Sequence, residues 1–484
     1  MQEYKYTGEF MKKFIKSLVL VLLVCTSLLA GCGKQGFKDN PATNDVVIGN
    51  GGYAVQKGDY LYYVNGYIDN YKTTLQNNPE LNKGNAVLGA IYRTKLVNNK
   101  VQYDENGFVK CTERVVGDVV GFENGSFYIV DDYIYYITPH MNEDTSGTIR
   151  TDYTNFYRVN VNGLERENLY VSRTTGVVDW NAYKIDGKTY LVIIEKSTDA
   201  NGNTTNNIVR VDGKSGKAKT LVEGVDTAVL NGNNFIDISE GKEYNGFVYY
   251  TITDDKKVNK LGKVNIITGE TETYEPFSQA TYSLIDFKND SLYLTITLSN
   301  STKLNRIALN TNENLTNAEY VELTKTSYKS YYTIEGVLNK LVVVDSSNVM
   351  YYLNNGVSER VLLTSAVTVV GLNNNCVFYI ENSLLKCLDY TVDNATSETL
   401  GSTSKTYLLS LASQVDFNSG KVYLFASYTP ESSTTSDSSS GNYYLNYISL
   451  FDKENSKFVG AFAEGHTPEK PSDEEIADGE IWIK

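Results

Sequence analysis

A two-strand unit that recurs along the chain constrains the fold more than any other feature. It is clearest at 133–163. There Tyr133-Ile134-Tyr135-Tyr136-Ile137 is followed by a polar stretch and then by Phe156-Tyr157-Arg158-Val159-Asn160-Val161-Asn162-Gly163. Aromatic and β-branched residues suit a pleated, half-buried surface, and an Asn-Gly step supplies a tight turn, so the unit predicts two antiparallel strands. Its first strand returns as Tyr60-Leu61-Tyr62-Tyr63-Val64, Tyr190-Leu191-Val192-Ile193-Ile194, Phe247-Val248-Tyr249-Tyr250 and Leu292-Tyr293-Leu294. Further copies are Leu341-Val342-Val343-Val344, Val377-Phe378-Tyr379-Ile380 and Val422-Tyr423-Leu424-Phe425. The starts lie about 35 to 75 residues apart, the spacing of architectures that devote one sheet to each repeat.

The second strand carries a sharper mark. A cation opens an alternating apolar segment at Arg93, Arg158, Arg210, Lys263, Arg306 and Lys386. A turn residue usually follows, as in Asp212-Gly213 and Asn265 with Gly269. One reading of this column is a ring that binds an anion. The other is an outward-facing strand position that keeps a charge in water, and strand alternation favours it. Short third segments come next, such as Thr220-Leu221-Val222 and Arg360-Val361-Leu362-Leu363.

Each unit resembles a β-propeller blade. The resemblance is architectural, spans 51–463, and implies an all-β propeller of seven or eight blades, since a lone blade cannot bury both of its faces. Gly52-Tyr53-Ala54-Val55 would pair with the last blade to close the ring. Two β-sandwich domains are the alternative. The composition agrees with either, with 39 Tyr against 2 Trp. The Tyr-x-Tyr-Tyr strands place adjacent rings on opposite faces. Some rings among Tyr62/Tyr63, Tyr135/Tyr136, Tyr249/Tyr250 and Tyr351/Tyr352 would then stand partly exposed, as platforms for a sugar or a protein.

The N-terminus has a different character. Met11-Lys12-Lys13-Phe14-Ile15-Lys16 is basic, Leu18–Val24 is apolar, and Leu29-Ala30-Gly31-Cys32 follows. The apolar run is short for a bilayer span and ends in small residues, as an export signal does. The stretch resembles the lipobox signal of bacterial lipoproteins. That resemblance implies cleavage between Gly31 and Cys32, a lipid on Cys32 and an anchored extracytoplasmic chain. Residues 1–31 are then a signal peptide whose start codon is read at Met11, 32–50 a tether, and 464–484 an acidic tail.

No motif announces catalysis, a cofactor or a metal site. The two histidines, His140 and His466, belong to no zinc spacing and to no nucleophile elbow. Gly213-Lys214-Ser215-Gly216-Lys217 lacks the phosphate-loop spacing and reads as a turn. Asp199-Ala200-Asn201-Gly202-Asn203 begins like a calcium loop, but Thr204 and Arg210 then occupy positions that need Gly and Glu. Beyond the leader, Cys111, Cys376 and Cys387 are too few and odd in number for a disulfide framework, and pairing of Cys376 with Cys387 stays open. The net charge of -14 argues against nucleic acid as a partner. The sequence therefore predicts a membrane-anchored binding or scaffold protein that presents a propeller face to an envelope protein or glycan, without catalysis. The alternative is a carbohydrate-active hydrolase or lyase using loop carboxylates.

Overall fold

The computed structural model describes residues 54–65, 86, 89–98, 102, 112–122, 125–139, 153–173, 177–198, 201–230, 246–288, 291–308, 315–334, 337–354, 357–364, 367–372, 376–382 and 384–401, with strands at 413–416, 421–428, 447–452 and 457–459. Among these residues the chain forms eight four-stranded sheets, each built from four consecutive strands in antiparallel order. They cover 54–116, 127–172, 177–225, 227–274, 281–322, 330–363, 368–401 and 413–459, numbered here as blades one to eight. The first strands of blades two and three, and of blades four through eight in turn, lie against one another, blade three meets blade four through its outer strands, and the first strand of blade one meets that of blade eight. The sheets therefore stand in a ring around a central axis. This is a β-propeller, with eight blades, and the two-sandwich alternative is set aside.

Ring closure differs from the expected device. Ala54–Lys57 does not join the last blade. It is the first strand of blade one and pairs with Tyr60–Val64 in the register Ala54↔Tyr63 to Lys57↔Tyr60. Among the described residues no sheet mixes strands from the two ends of the chain, and blades one and eight meet there by packing of their first strands.

The repeated apolar runs are the second strands. Tyr60–Val64 is buried along its whole length, as are Leu191–Ile194 and Leu341–Val344. A strand inside a blade is covered by neighbouring blades on both faces, so it reads as an apolar run rather than an alternation. Tyr62, Tyr63, Tyr135, Tyr136, Tyr249 and Tyr250 all lie in this interior. They are packing groups and not exposed platforms. Tyr351 and Tyr352 are half-buried, and Tyr352 stacks on Tyr390 at 5.6 Å between ring centroids. Gly262 shows how closely the aromatics fit. It pairs with Tyr250 across the strands, and a Cβ there would lie 2.2 Å from Tyr250 Cζ.

The alternating strand directions give each blade two edges. The lower edge carries the turns between first and second strands and between third and fourth strands. The upper edge carries the remaining hairpins and the connections between blades.

Candidate functional site at the upper mouth of the third blade

The cation column sits on the third strand of its blades, and it is neither an anion ring nor a solvated face. Arg93 is 0% exposed and Arg158 is 8% exposed. The column fastens blades together along the lower edge. Arg93 lies 4.5 Å over the Tyr60 ring, donates to Glu113 at 2.7 Å, and donates to the Tyr62 hydroxyl at 3.4 Å. Tyr62 in turn donates to the Val161 carbonyl of blade two at 3.1 Å. Arg158 repeats the arrangement, stacked over Tyr133 at 4.7 Å and donating to Glu167 at 2.8 Å and to Gly213 O of blade three at 3.2 Å. Arg210 reaches Ile266 O and Ile267 O of blade four at 2.9 and 2.7 Å. Lys263 pairs with Glu272 at 3.1 Å, and Glu272 accepts from the Leu315 amide of blade five at 2.7 Å. Arg306 reaches Asn339 of blade six at 2.8 Å. Lys386 is the exception, bound to Glu381 within its own blade. Buried guanidinium groups need several acceptors, and the exposed backbone carbonyls of the next blade's turn supply them.

The upper edge of blade three is built differently. Its first two strands, Val177–Ile185 and Lys188–Thr198, pair until Ile194 meets Asp179, and then Glu195 meets Val177. Val178 is left over, a β-bulge that turns side chains out of the regular pleat. Val178 is exposed (43%), and Asp179 beside it is also exposed. Protein still surrounds Asp179 closely enough that burial pushes its carboxyl up to about 6, against the lowering effect of the Trp180 amide. Water also touches this group and screens its charge.

Glu195 stands one strand away and is 6% exposed. It continues the buried face of Leu191 and Ile193, where the blade-two surface offers hydroxyls. Ser172 Oγ donates to Glu195 Oε2 at 2.6 Å, and Tyr170 OH lies 3.3 Å from both carboxylate oxygens. Burial raises the Glu195 carboxyl, outweighing these two donors. Trp180 faces the same side. Its ring meets Phe156 edge-on at 5.5 Å and Tyr128 at 4.8 Å, and its Nε1 is buried without a partner among the described residues. Tyr128 OH donates to Trp180 O at 3.0 Å. Two carboxyl groups, both raised by burial, thus sit on adjacent strands, Glu195 on the Trp180 face at the junction of blades two and three and Asp179 opposite Ile194.

The other residues singled out from the sequence have simpler fates. Gly31, Cys32, Cys111, His140 and His466 lie outside the described residues. Cys376 and Cys387 are not joined in a disulfide. They lie opposite Asp389 and Phe378 respectively, and Cys387 Sγ donates to Glu398 Oε2 at 3.5 Å. The 213–217 segment is a hairpin turn in which Asp212 Oδ1 accepts from the Lys214 and Ser215 amides at 3.0 and 2.7 Å. Of the calcium-like segment, 199–200 lie outside the described residues and 201–203 form a turn. Among the described residues no group of three or more His, Cys, Asp or Glu side chains is placed to hold a metal ion. Neither Asp179 nor Glu195 stood out in the sequence. The available signal was a carboxylate on the buried alternation of a strand, immediately after Leu191-Val192-Ile193-Ile194.

No family model matches the sequence, and no curated protein matches it. Solved structures with similar folds include the β-propeller domain of the trilobed protease from Pyrococcus furiosus, described as having an open velcro topology. That likeness has 9% identity and a TM-score of 0.39, and covers 67% of this chain and 92% of that one. TolB from Acinetobacter baumannii has 13% identity and a TM-score of 0.30, over 74% of this chain and 83% of that one. A prolyl endopeptidase has 11% identity and a TM-score of 0.40, over 79% of this chain and 53% of that one, so the likeness spans about half of that enzyme. The propeller assignment rests on the strand pairing of this chain, and these distant likenesses assign it no activity.

Proposed function

We propose that the chain is a lipid-anchored extracytoplasmic binding or scaffold protein that presents the upper face of its propeller to an envelope protein or a glycan. The supporting observation is the bulge in blade three, which leaves Val178 and Asp179 exposed at the ring mouth. An exposed carboxyl group next to the exposed Val178 side chain offers a hydrogen-bonding partner and an apolar contact together. The anchoring part of the reading rests on Leu29-Ala30-Gly31-Cys32. The test is a pull-down from envelope extract with soluble Gly33–Lys484, run beside a glycan array, with Asp179→Asn as the comparison. A discrete partner or glycan lost in Asp179→Asn supports the reading, and retention of every ligand by the variant removes the blade-three mouth from it.

A hydrolase is the second reading, favoured by one observation. Asp179 and Glu195 lie on paired strands, and both carboxyls are raised by burial, the condition that lets one act as a general acid near neutral pH. Turnover of envelope glycans by the purified domain, abolished in both Asp179→Asn and Glu195→Gln, would establish it. No turnover across the panel would end it.

A further inference from the structure

The upper joint between blades two and three combines the Tyr128 OH to Trp180 O bond, which does not titrate near neutral pH, with contacts to one buried carboxyl, Glu195. Along the lower edge, Arg158 and Tyr135 both donate to Gly213 O, and neither bond involves a group that titrates near neutral pH. Along the upper edge, the contact runs from Ser172 and Tyr170, on the outer strand Glu167–Ser172 of blade two, to Glu195 on the second strand of blade three. The joint is lined by Phe156, Trp180 and Tyr170.

The charges around Glu195 decide what this joint does. From blade two it faces Tyr170 and Ser172, with Arg173 following on that strand and acting on Tyr170. From the first strand of its own blade the opposite residue is Val177, while Asp179 pairs with Ile194 and so lies on the other face. From the third strand the opposite residue is Asn207, which is neutral. Its neighbour Lys196 points to the other face by strand alternation. Among the described residues the groups that favour the ionised form of Glu195 are the two hydroxyls of Ser172 and Tyr170, and no cation pairs with it there.

We propose that the upper joint between blades two and three is a proton-operated clasp, closed when Glu195 is protonated and loosened when it is ionised. An uncompensated carboxylate in an apolar joint is stabilised by hydration, and water reaches it only if the blades part at that edge. A protonated carboxyl removes that drive and still accepts the Ser172 bond. The Arg158 latch holds the lower edge in both states, so the movement is a local opening of the upper edge. Loosening exposes the Trp180 ring. The clasp belongs to the blades themselves and is read without ligand, so it stands or falls separately from the binding reading.

The chain has two tryptophans, and Trp482→Phe leaves Trp180 as the sole reporter. In that background, acrylamide quenching of Trp180 is expected to rise about two- to threefold between about pH 4.5 and pH 7.5, with a midpoint above the ordinary glutamate range. Glu195→Gln keeps the neutral form at every pH and is expected to hold quenching at its low value throughout, while Asp179→Asn leaves the transition in place. A flat profile in the parent, or an unchanged transition in Glu195→Gln, overturns the clasp. Ser172→Ala covers the case in which Glu195→Gln does not fold. Removing a donor to the carboxylate moves the midpoint to higher pH, and an unmoved midpoint overturns the proposal as well.

Discussion

The Arg158 guanidinium in blade two donates to the Gly213 carbonyl in blade three at 3.2 Å, across 55 residues of sequence. The Tyr135 hydroxyl donates to the same oxygen at 3.3 Å. One turn carbonyl thus receives two donors from the neighbouring blade, and the recurring cation becomes a fastener between repeats. In a repeat architecture each unit is held by its neighbours, so such contacts carry much of the cooperativity of the ring.

Arg158→Ala removes the Gly213 bond, the stacking on Tyr133 and the partner of Glu167 together. We expect a loss of about 2–3 kcal/mol in urea unfolding, because a buried carbonyl loses a charged donor. Arg158→Lys should recover part of it, since a lysine keeps the charge but not the forked geometry. A loss within 0.5 kcal/mol of zero, about the scatter of neutral surface changes, would show that the latch carries no stability.

Gly262→Ala places a methyl group into the Tyr250 ring. The expected cost is about 1–3 kcal/mol, typical of overpacking in a filled core. Residues in contact do not act additively, so the same change made in Tyr250→Ala should cost much less. Equal costs in both backgrounds would show that the ring is not what excludes the side chain.

Asp179 gives a pH dependence with a definite sign. Its folded carboxyl is raised to about 6, above the ordinary aspartate value. Its contribution to stability is therefore full below about pH 4 and is lost as pH rises through about 6. Asp179→Asn should flatten stability across that window and raise it at pH 7 by about 1 kcal/mol, a small gain because water screens the group. Denaturant melts at several pH values measure it. A variant less stable at pH 7 than the parent would contradict the raised carboxyl.

Cys32→Ser tests the anchor. The expected outcome is a protein that is no longer labelled by a radioactive fatty acid and no longer sediments with membranes. Unchanged labelling and sedimentation would refute the lipobox reading.

The sequence by itself determined the fold class. The runs at Tyr60–Val64, Tyr133–Ile137 and Leu341–Val344 could be read as strands because a blade's second strand is covered on both faces and must be apolar throughout. The same rule hid the fate of the tyrosines and cations, since alternation along one strand does not say which face meets another blade. Tertiary structure decided that Arg93 and Arg158 are buried, because their partners, Val161 through Tyr62 and Gly213 directly, come from the following blade. It also decided the closure, with Ala54–Lys57 in blade one and packed against the first strand of blade eight. Glu195 was one more strand residue in the sequence. It became a candidate functional group only when blade two buried it against Tyr170 and Ser172, residues of a different sheet.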